Sequence, residues 1–433
     1  MKKCCLALVV VLCIGLGFVS CGGGTKTGPP SGLRNRVLAA QGVSSTLTLG
    51  GLVLVNGQND TLVRSAPIST GSSPNLVAIS PSRNVVATFD AGSDTVYGVD
   101  TNKESVIGSV RLPGPTSSIV VPTAVEVGYA AVPTATVNGF DFQGAVDVLF
   151  FTSSGLTTIA VSHAQTVVSN TDGSQLLVFS NDSDSVTVLT PGLAVPPVDL
   201  SCYTNPPNAV CTIVPGFDRP VNAVINGTTA YILNCGPQCG GVQASVMIFD
   251  LSTLTITKTI PVDAATVAWL SESTLYVAGT SPVAANHTCT NQTTKATICG
   301  RLDIVNLTSS TVTGRVAITD GYHDHMDMTT NGQLFIGSHD CTNIGNVDNP
   351  SGEVRGCLSI YKTLGGSVVF PPDNGDVNGL QGFSTRTVEY VAEGGALRVY
   401  DITRDILLIN DFVPQGRVPI VGYVGDVKAI DFF

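Results

Sequence analysis

Charge is scarce in this 433-residue chain: Asp, Glu, Lys and Arg together make up 12% of it. The 32 acidic and 21 basic side chains leave a net charge of −11, with no acidic or basic tail. A nucleic-acid groove or a surface for anionic lipid needs clustered Lys and Arg, so the composition argues against both. Aromatic residues are thin at 6%, and Trp269 is the one tryptophan. No H-E-x-x-H, G-x-S-x-G, P-loop or D-x-D-x-D-G stretch occurs. The zinc-peptidase, nucleophile-elbow, phosphate-cradle and EF-hand chemistries therefore lack their residues. What the chain does have is 43% hydrophobic residues, 46 Gly and 24 Pro. That is the composition of an ordered, turn-rich all-β protein, long enough for one to three domains.

The N-terminus reads as an export signal. Lys2 and Lys3 precede the apolar run Leu6–Leu12. Phe18-Val19-Ser20-Cys21 follows and resembles a bacterial lipobox, which implies lipidation at Cys21. Ordinary secretion and an uncleaved anchor are the alternatives. Residues 1–20 are then a lipoprotein signal peptide. Residues 21–33, rich in Gly, Thr, Pro and Ser, are a flexible tether, and 34–433 are the folded domain. Gly22 behind the cysteine implies, by the same resemblance, the outer membrane, with membrane contact through the lipid alone. Eight cysteines remain in four local pairs: Cys202/Cys211, Cys235/Cys239, Cys289/Cys299 and Cys341/Cys357. An even number, short spacings and an oxidising compartment favour four disulfides over zinc.

The stretch Ser72–Pro113 contains four β-type runs, Asn75–Ser80, Asn84–Phe89, Thr95–Val99 and Ser105–Leu112. Asp-, Asn-, Gly- and Pro-rich turns separate them. One such sheet cannot bury both faces alone, so copies are expected. Apolar quartets like Val86–Phe89 begin at Val37, Tyr129, Leu177, Tyr231, Tyr276, Phe335 and Tyr390, spaced 43 to 59 residues apart. A four-stranded antiparallel unit at this period predicts a β-propeller. The recurring "SP-x-R/G-N", "TVYGVD" and "T-x-x-V-x-x-S-V" pieces, best at 72–113, 219–262 and 374–413, resemble the YVTN-type bacterial propeller repeat. That resemblance implies a propeller and fixes no activity. The segment from Asn35 lacks a first strand, and Gly425–Phe432 reads as a first strand without a blade. Joining the two closes a ring and removes two exposed edges. Eight four-stranded blades is the count, seven if residues 115–162 form no proper blade.

Function is sought on the face shared by the links into first strands and the loops between second and third strands. Three cysteine pairs, Cys235/Cys239, Cys289/Cys299 and Cys341/Cys357, are expected in such loops of consecutive blades. Blade 7 departs most from the pattern: its first strand reads Tyr322-His323-Asp324-His325-Met326-Asp327-Met328. Strand alternation predicts His323, His325 and Asp327 on one side and Asp324 on the other. A hairpin returns His339 and Asp340 towards His323, and His163 opens its own first strand at the position of His323 and Pro74. Buried imidazoles and carboxylates must pair or bind an ion. Two readings stay open: a divalent metal such as zinc held by these groups, or a His–Asp hydrogen-bond network, the plainer one because no fixed ligand spacing supports a metal. The chain thus reads as an envelope propeller that serves as a binding scaffold for an unidentified protein or small molecule. The alternative is a propeller hydrolase, lyase or lactonase with a His/Asp site at the channel mouth.

Overall fold

A computed structural model of the chain describes residues 29–43, 50–63, 66–122, 127–180, 182–191, 197–204, 206–282, 298–341, 357–372 and 374–431. The expected signal peptide, Cys21 and Cys289 fall on residues outside the described ones. The four runs of 72–113 form the strands Pro74–Ile79, Val85–Asp90, Thr95–Asp100 and Ser105–Arg111, in that spatial order. Val, Thr and Tyr fill these strands, and Asn102 and Lys103 donate backbone N–H bonds to Asp100, which fastens the last turn.

Seven more sheets repeat the plan, so the protein is an eight-bladed β-propeller. In ring order the blades span 35–62, 74–111, 118–160, 164–215, 220–261, 267–318, 322–369 and 377–407. Blade 1 takes its first strand from the other end of the chain. Tyr423–Asp431 pairs antiparallel with Asn35–Gly42, from Asn35 opposite Asp431 to Gly42 opposite Tyr423. Residues 115–162 do form a blade, which removes the seven-blade alternative. That blade gains a fifth strand, Val198–Asp199, lent by blade 4 and running parallel to Gly155–Ala160.

The core is divided among the blade interfaces. Eight apolar clusters each join one blade to its neighbour. Second strands are covered on both faces, so Val85–Asp90 and Val388–Glu393 are buried at every position. Phe151 of blade 3 is wholly buried at such an interface, and truncating it to alanine would cost about 3–5 kcal/mol. Blade 1 is also latched by charge on both flanks. Arg36 bonds Glu104 of blade 2 at 2.8 Å, and Asp60 takes two bonds from Arg386 of blade 8, at 2.6 and 3.0 Å. Ring closure thus rests on strand pairing and on two buried ion pairs that hold only while both partners are present.

Disulfides join Cys202–Cys211, Cys235–Cys239 and Cys341–Cys357. They are the bonds of an exported, non-cytoplasmic protein. The expectation for Cys299 needs correction. Cys299 does not lie in a loop: it belongs to the third strand of blade 6, Ile298–Asn306, and pairs with Ser281 of the second strand. Both strands of that hairpin run nine residues, Thr274–Pro282 and Ile298–Asn306, against six in blade 2. The longer ladder absorbs the residues that the shorter blades leave to the loop. The expected Cys289/Cys299 bond is not among the disulfides of the described residues, its Cys289 half lying outside them. Among the described residues no helix is long and apolar enough to cross a membrane.

Candidate functional site at the channel mouth

The link from blade 6 enters blade 7 through Gly321, whose φ is +100°. A Cβ there would lie 2.5 Å from the His339 carbonyl, so only glycine lets the end of the second strand close over the start of the first. The first strand then opens on a bulge: His323 pairs with Ser338 and His325 with Gly337, leaving Asp324 as the extra residue. A bulge bends the strand and re-aims its side chains. Strict alternation therefore fails here, and the expected grouping of His323, His325 and Asp327 on one side is incorrect.

The same bulge opens the first strand of six blades. The extra residue is Gly425, Asn75, Gln165, Val221, Asp324 or Asn378. Asp324 is the charged member of this set. The residue before it is buried in each blade: Val424, Pro74, Ala164, Pro220, His323 and Val377. His323 therefore occupies a structural position that is elsewhere apolar. His163 stands one residue before Ala164, so it matches Tyr322 rather than His323 and Pro74.

What the structure brings together is Asp324, His325 and His339. Asp324 Oδ1 lies 2.6 Å from His325 Nδ1, and Oδ2 lies 3.2 Å from His339 Nδ1. An ionised carboxylate can only accept, so both Nδ1 atoms carry protons. Burial alone would raise the Asp324 carboxyl, but the His325 and His339 imidazoles outweigh it and hold it well below the usual range. The hydrogen bond to Asp324 raises the His339 pKa against burial, and the charges of Asp340 and Asp376 add to it. Tyr322 packs on the His339 ring at 5.3 Å, and desolvation followed by the Asp324 charge keeps its hydroxyl protonated. The Nε2 atoms of His325 and His339 have no hydrogen-bond partner among the described residues.

The other candidates go elsewhere. His323 is fully buried, bonds the Thr319 carbonyl through Nε2 at 2.9 Å, and its own carbonyl accepts from Thr266 of blade 6 at 2.7 Å. Burial lowers its pKa to about 4, so the ring is neutral and ties the link from blade 6, while the backbone carbonyl makes the contact to Thr266. Asp327 turns to blade 8, accepting from the Gly382 N–H at 2.7 Å and from Gln381 at 3.3 Å, next to the buried Glu389. Asp340 makes the corner after His339, at φ +54°, and its N–H donates to Asp376 at 3.0 Å. His163 is exposed and lines a separate cavity between blades 3 and 4. Among the described residues, no group of three or more His, Cys, Asp or Glu side chains is placed to hold a metal ion.

Tyr322 was missed from sequence, although a tyrosine at a bulged strand start beside two histidines was the available signal. Tyr322 also lines a 340 Å³ cavity with Gln165, Asp182, Arg219 and Cys239, which extends the mouth towards blades 4 and 5.

No protein-family model and no curated protein matches the sequence. Solved structures do match. Dihydro-heme d1 dehydrogenase NirN, solved in complex with DHE, aligns at a TM-score of 0.60 and 11% identity, over 92% of this chain and 75% of that one. Hydrazine synthase of Kuenenia stuttgartiensis aligns at a TM-score of 0.45 and 13% identity, over 86% and 90%. What is shared with NirN is the fold. At such identity the likeness carries no residue role and no activity.

Proposed function

We propose that this chain is a lipid-anchored binding propeller of the bacterial envelope, with its ligand seated at the channel mouth on Tyr322, Asp324, His325 and His339. The observation that carries this reading is the pair of Nδ1 bonds that Asp324 accepts. They fix two imidazoles in orientation and tautomer and leave both Nε2 atoms for a ligand. The disulfides Cys235–Cys239 and Cys341–Cys357 brace the chain beside the cluster. The lipobox-like residues before Cys21 support the anchor, and the YVTN-like repeats support the family placement.

A second reading is favoured by one distance, the 2.6 Å bond from His325 to Asp324. An imidazole held by a carboxylate is the arrangement of a general base, with Nε2 taking a proton from water or a hydroxyl. Binding is preferred because no described serine or cysteine bonds either Nε2 to serve as a nucleophile.

A fragment library screened by ligand-observed NMR against the full chain and the His325→Ala/His339→Ala variant tests the site. Binders lost in the folded variant support it, and binders indifferent to both substitutions sink it. Turnover of 4-nitrophenyl esters or glycosides that disappears with His325 would replace the binding reading by the enzymatic one. For the anchor, Cys21→Ser should release the protein from the membrane fraction. Retention there would remove the lipid from the proposal.

A further inference from the structure

Away from the His/Asp cluster, blades 3 and 4 enclose a cavity of 740 Å³, within the usual size range of small-ligand sites. Its outer wall is aromatic. Phe140, Phe142 and Tyr203 meet edge to face, with ring centroids 5.1 to 6.2 Å apart. Phe142 is 52% exposed and Tyr203 37% exposed. Holding two such rings half in water is unfavourable unless something covers them. Considerable structure goes into placing them. The blade 4 loop that supplies Tyr203 climbs the outside of blade 3 as Val198–Asp199, turns through the helix Ser201–Thr204, and is tied back by Cys202–Cys211. The Tyr203 hydroxyl then bonds Asp141 in the loop that carries both phenylalanines.

The facing wall is different in kind. Ser162, Ser180, Ser183, Ser185 and Thr187 line it, each hydroxyl able to donate and accept. Among the described residues no lysine or arginine lines the cavity, and Asp182 is its one acidic residue. A phosphate, nucleotide or acidic peptide would find no ammonium or guanidinium there, His163 being the one basic side chain among the lining residues described. A lipid tail would leave the Ser180 and Thr187 hydroxyls without partners among the described residues, the Ser183 hydroxyl bonding that of Ser185 and the Ser162 hydroxyl the His163 ring. A quaternary amine could sit against rings inclined at 63 to 81°, but it would make no use of the hydroxyl wall. The occupant that satisfies both walls has an apolar face and many neutral hydroxyls, which describes a pyranose ring. Ser180 and Asp182 also line the 340 Å³ cavity that holds Tyr322 and Arg219, so two adjoining spaces share a rim on blade 4. Two adjoining spaces suit a chain better than a single sugar.

We propose that this pair of cavities binds a neutral oligosaccharide, its rings stacked on Phe142 and Tyr203 and its hydroxyls bonded to the serine wall of blade 4. The site stands whether or not the channel-mouth cluster binds or catalyses. Calorimetric titration of the full chain with cellohexaose, chitohexaose, maltohexaose and xylohexaose tests it. At least one hexamer should bind, and more tightly than its own dimer. Phe142→Ala and Tyr203→Ala should each weaken binding about tenfold, from the loss of one aromatic contact. Phe142→Trp should retain binding. Phe142 is half-exposed, so its alanine variant should keep the wild-type near-ultraviolet dichroism, which separates lost contact from lost fold. No binding of any hexamer overturns the proposal, as does equal binding by both alanine variants. Tetramethylammonium bound at the same rings in place of sugar also overturns it.

Discussion

Blades 2 and 7 are built on the same bulged first strand, yet one is plain and the other carries the candidate site. In blade 2 the bulge presents Asn75, the residue before it is Pro74, and residues 91–94 join the second strand to the third. In blade 7 the same places hold Asp324 and His323, and residues 340–357 separate the second strand from the third, with Cys341 and Cys357 joined by a disulfide. The bulged first strand itself does not separate them. The ring supplies a repeated position where one side chain is aimed into the mouth, and the residue placed there decides whether it does chemistry. Function in this fold is a local substitution on a repeated scaffold.

The loop difference should give the largest effect when broken. Replacing Cys341 and Cys357 by serine frees a loop with a sequence separation of 16, which by loop entropy costs about 3 kcal/mol. Guanidinium unfolding under oxidising conditions measures it. Blade 2, with its four-residue turn, has no equivalent bond to lose. A variant of blade 7 whose loop is cut to the Ala91–Asp94 turn should recover most of the loss without a disulfide. A midpoint unchanged by the double serine substitution would show that the staple does not stabilise the blade.

The ring was legible in the sequence because second strands are buried on both faces. Runs such as Val86–Phe89 and Tyr390–Glu393 are continuous apolar segments bounded by turns, and they recur at blade spacing. The complementary ends were legible for a related reason: an unpaired Asn35 strand and an orphan C-terminal strand each lack what the other supplies. Strand ends were less legible. Cys299 reads as a loop residue because Ser281, Cys299 and Gly300 carry no β-type signal, and only the pairing of blade 6 extends the ladder over them. The site was legible only in part. His325, Asp324 and His339 stand out, but a period-2 reading puts Asp324 on the wrong side, because an alternation rule has no place for an inserted residue. Aligning Pro74-Asn75-Leu76 with Pro220-Val221-Asn222 and His323-Asp324-His325 would have exposed the bulge. The path of the Cys202–Cys211 loop was not legible at all. The turn around Pro206 follows a chain that crosses the outer edge of blade 3 and meets its aromatic loop. Only tertiary pairing sets that course.

Asp327 sharpens the comparison at the other end of the same strand, where it lies against Glu389 of blade 8. Burial, and then the Asp327 charge, pushes the Glu389 carboxyl well above its ordinary value of 4.5. The folded state therefore keeps a proton that the unfolded chain releases. Its stabilising contribution is complete below pH 4.5 and is lost as pH rises through the raised folded value. Glu389→Gln cannot titrate, so its stability relative to wild type should increase steadily from pH 5 to pH 8. Paired urea titrations at these pH values read the difference. A constant difference across that range would mean the carboxyl is already ionised in the folded protein.

The smallest effect tests the comparison most directly, by exchanging the bulged residues. Asp324→Asn gives blade 7 the side chain of blade 2. The cluster is partly open to solvent, so the stability change should stay within about 1 kcal/mol. The titration of His339 should move much more clearly. With Asp324 ionised, its hydrogen bond raises the His339 pKa above 6.5, a contribution complete below 6.5 and lost as pH rises through the raised value. In the Asn variant that charge is gone, and the His339 Cε1–H resonance should titrate at lower pH than in wild type. Asn75→Asp, the reverse exchange, puts a carboxylate at a bulge with no histidine among its described hydrogen-bond partners, and should leave all imidazole titrations in place. An unmoved His339 in the first variant would mean that Asp340 and Asp376 hold its proton. The bulged position would then be equivalent in the two blades, and the distinction between them would rest on the loops alone.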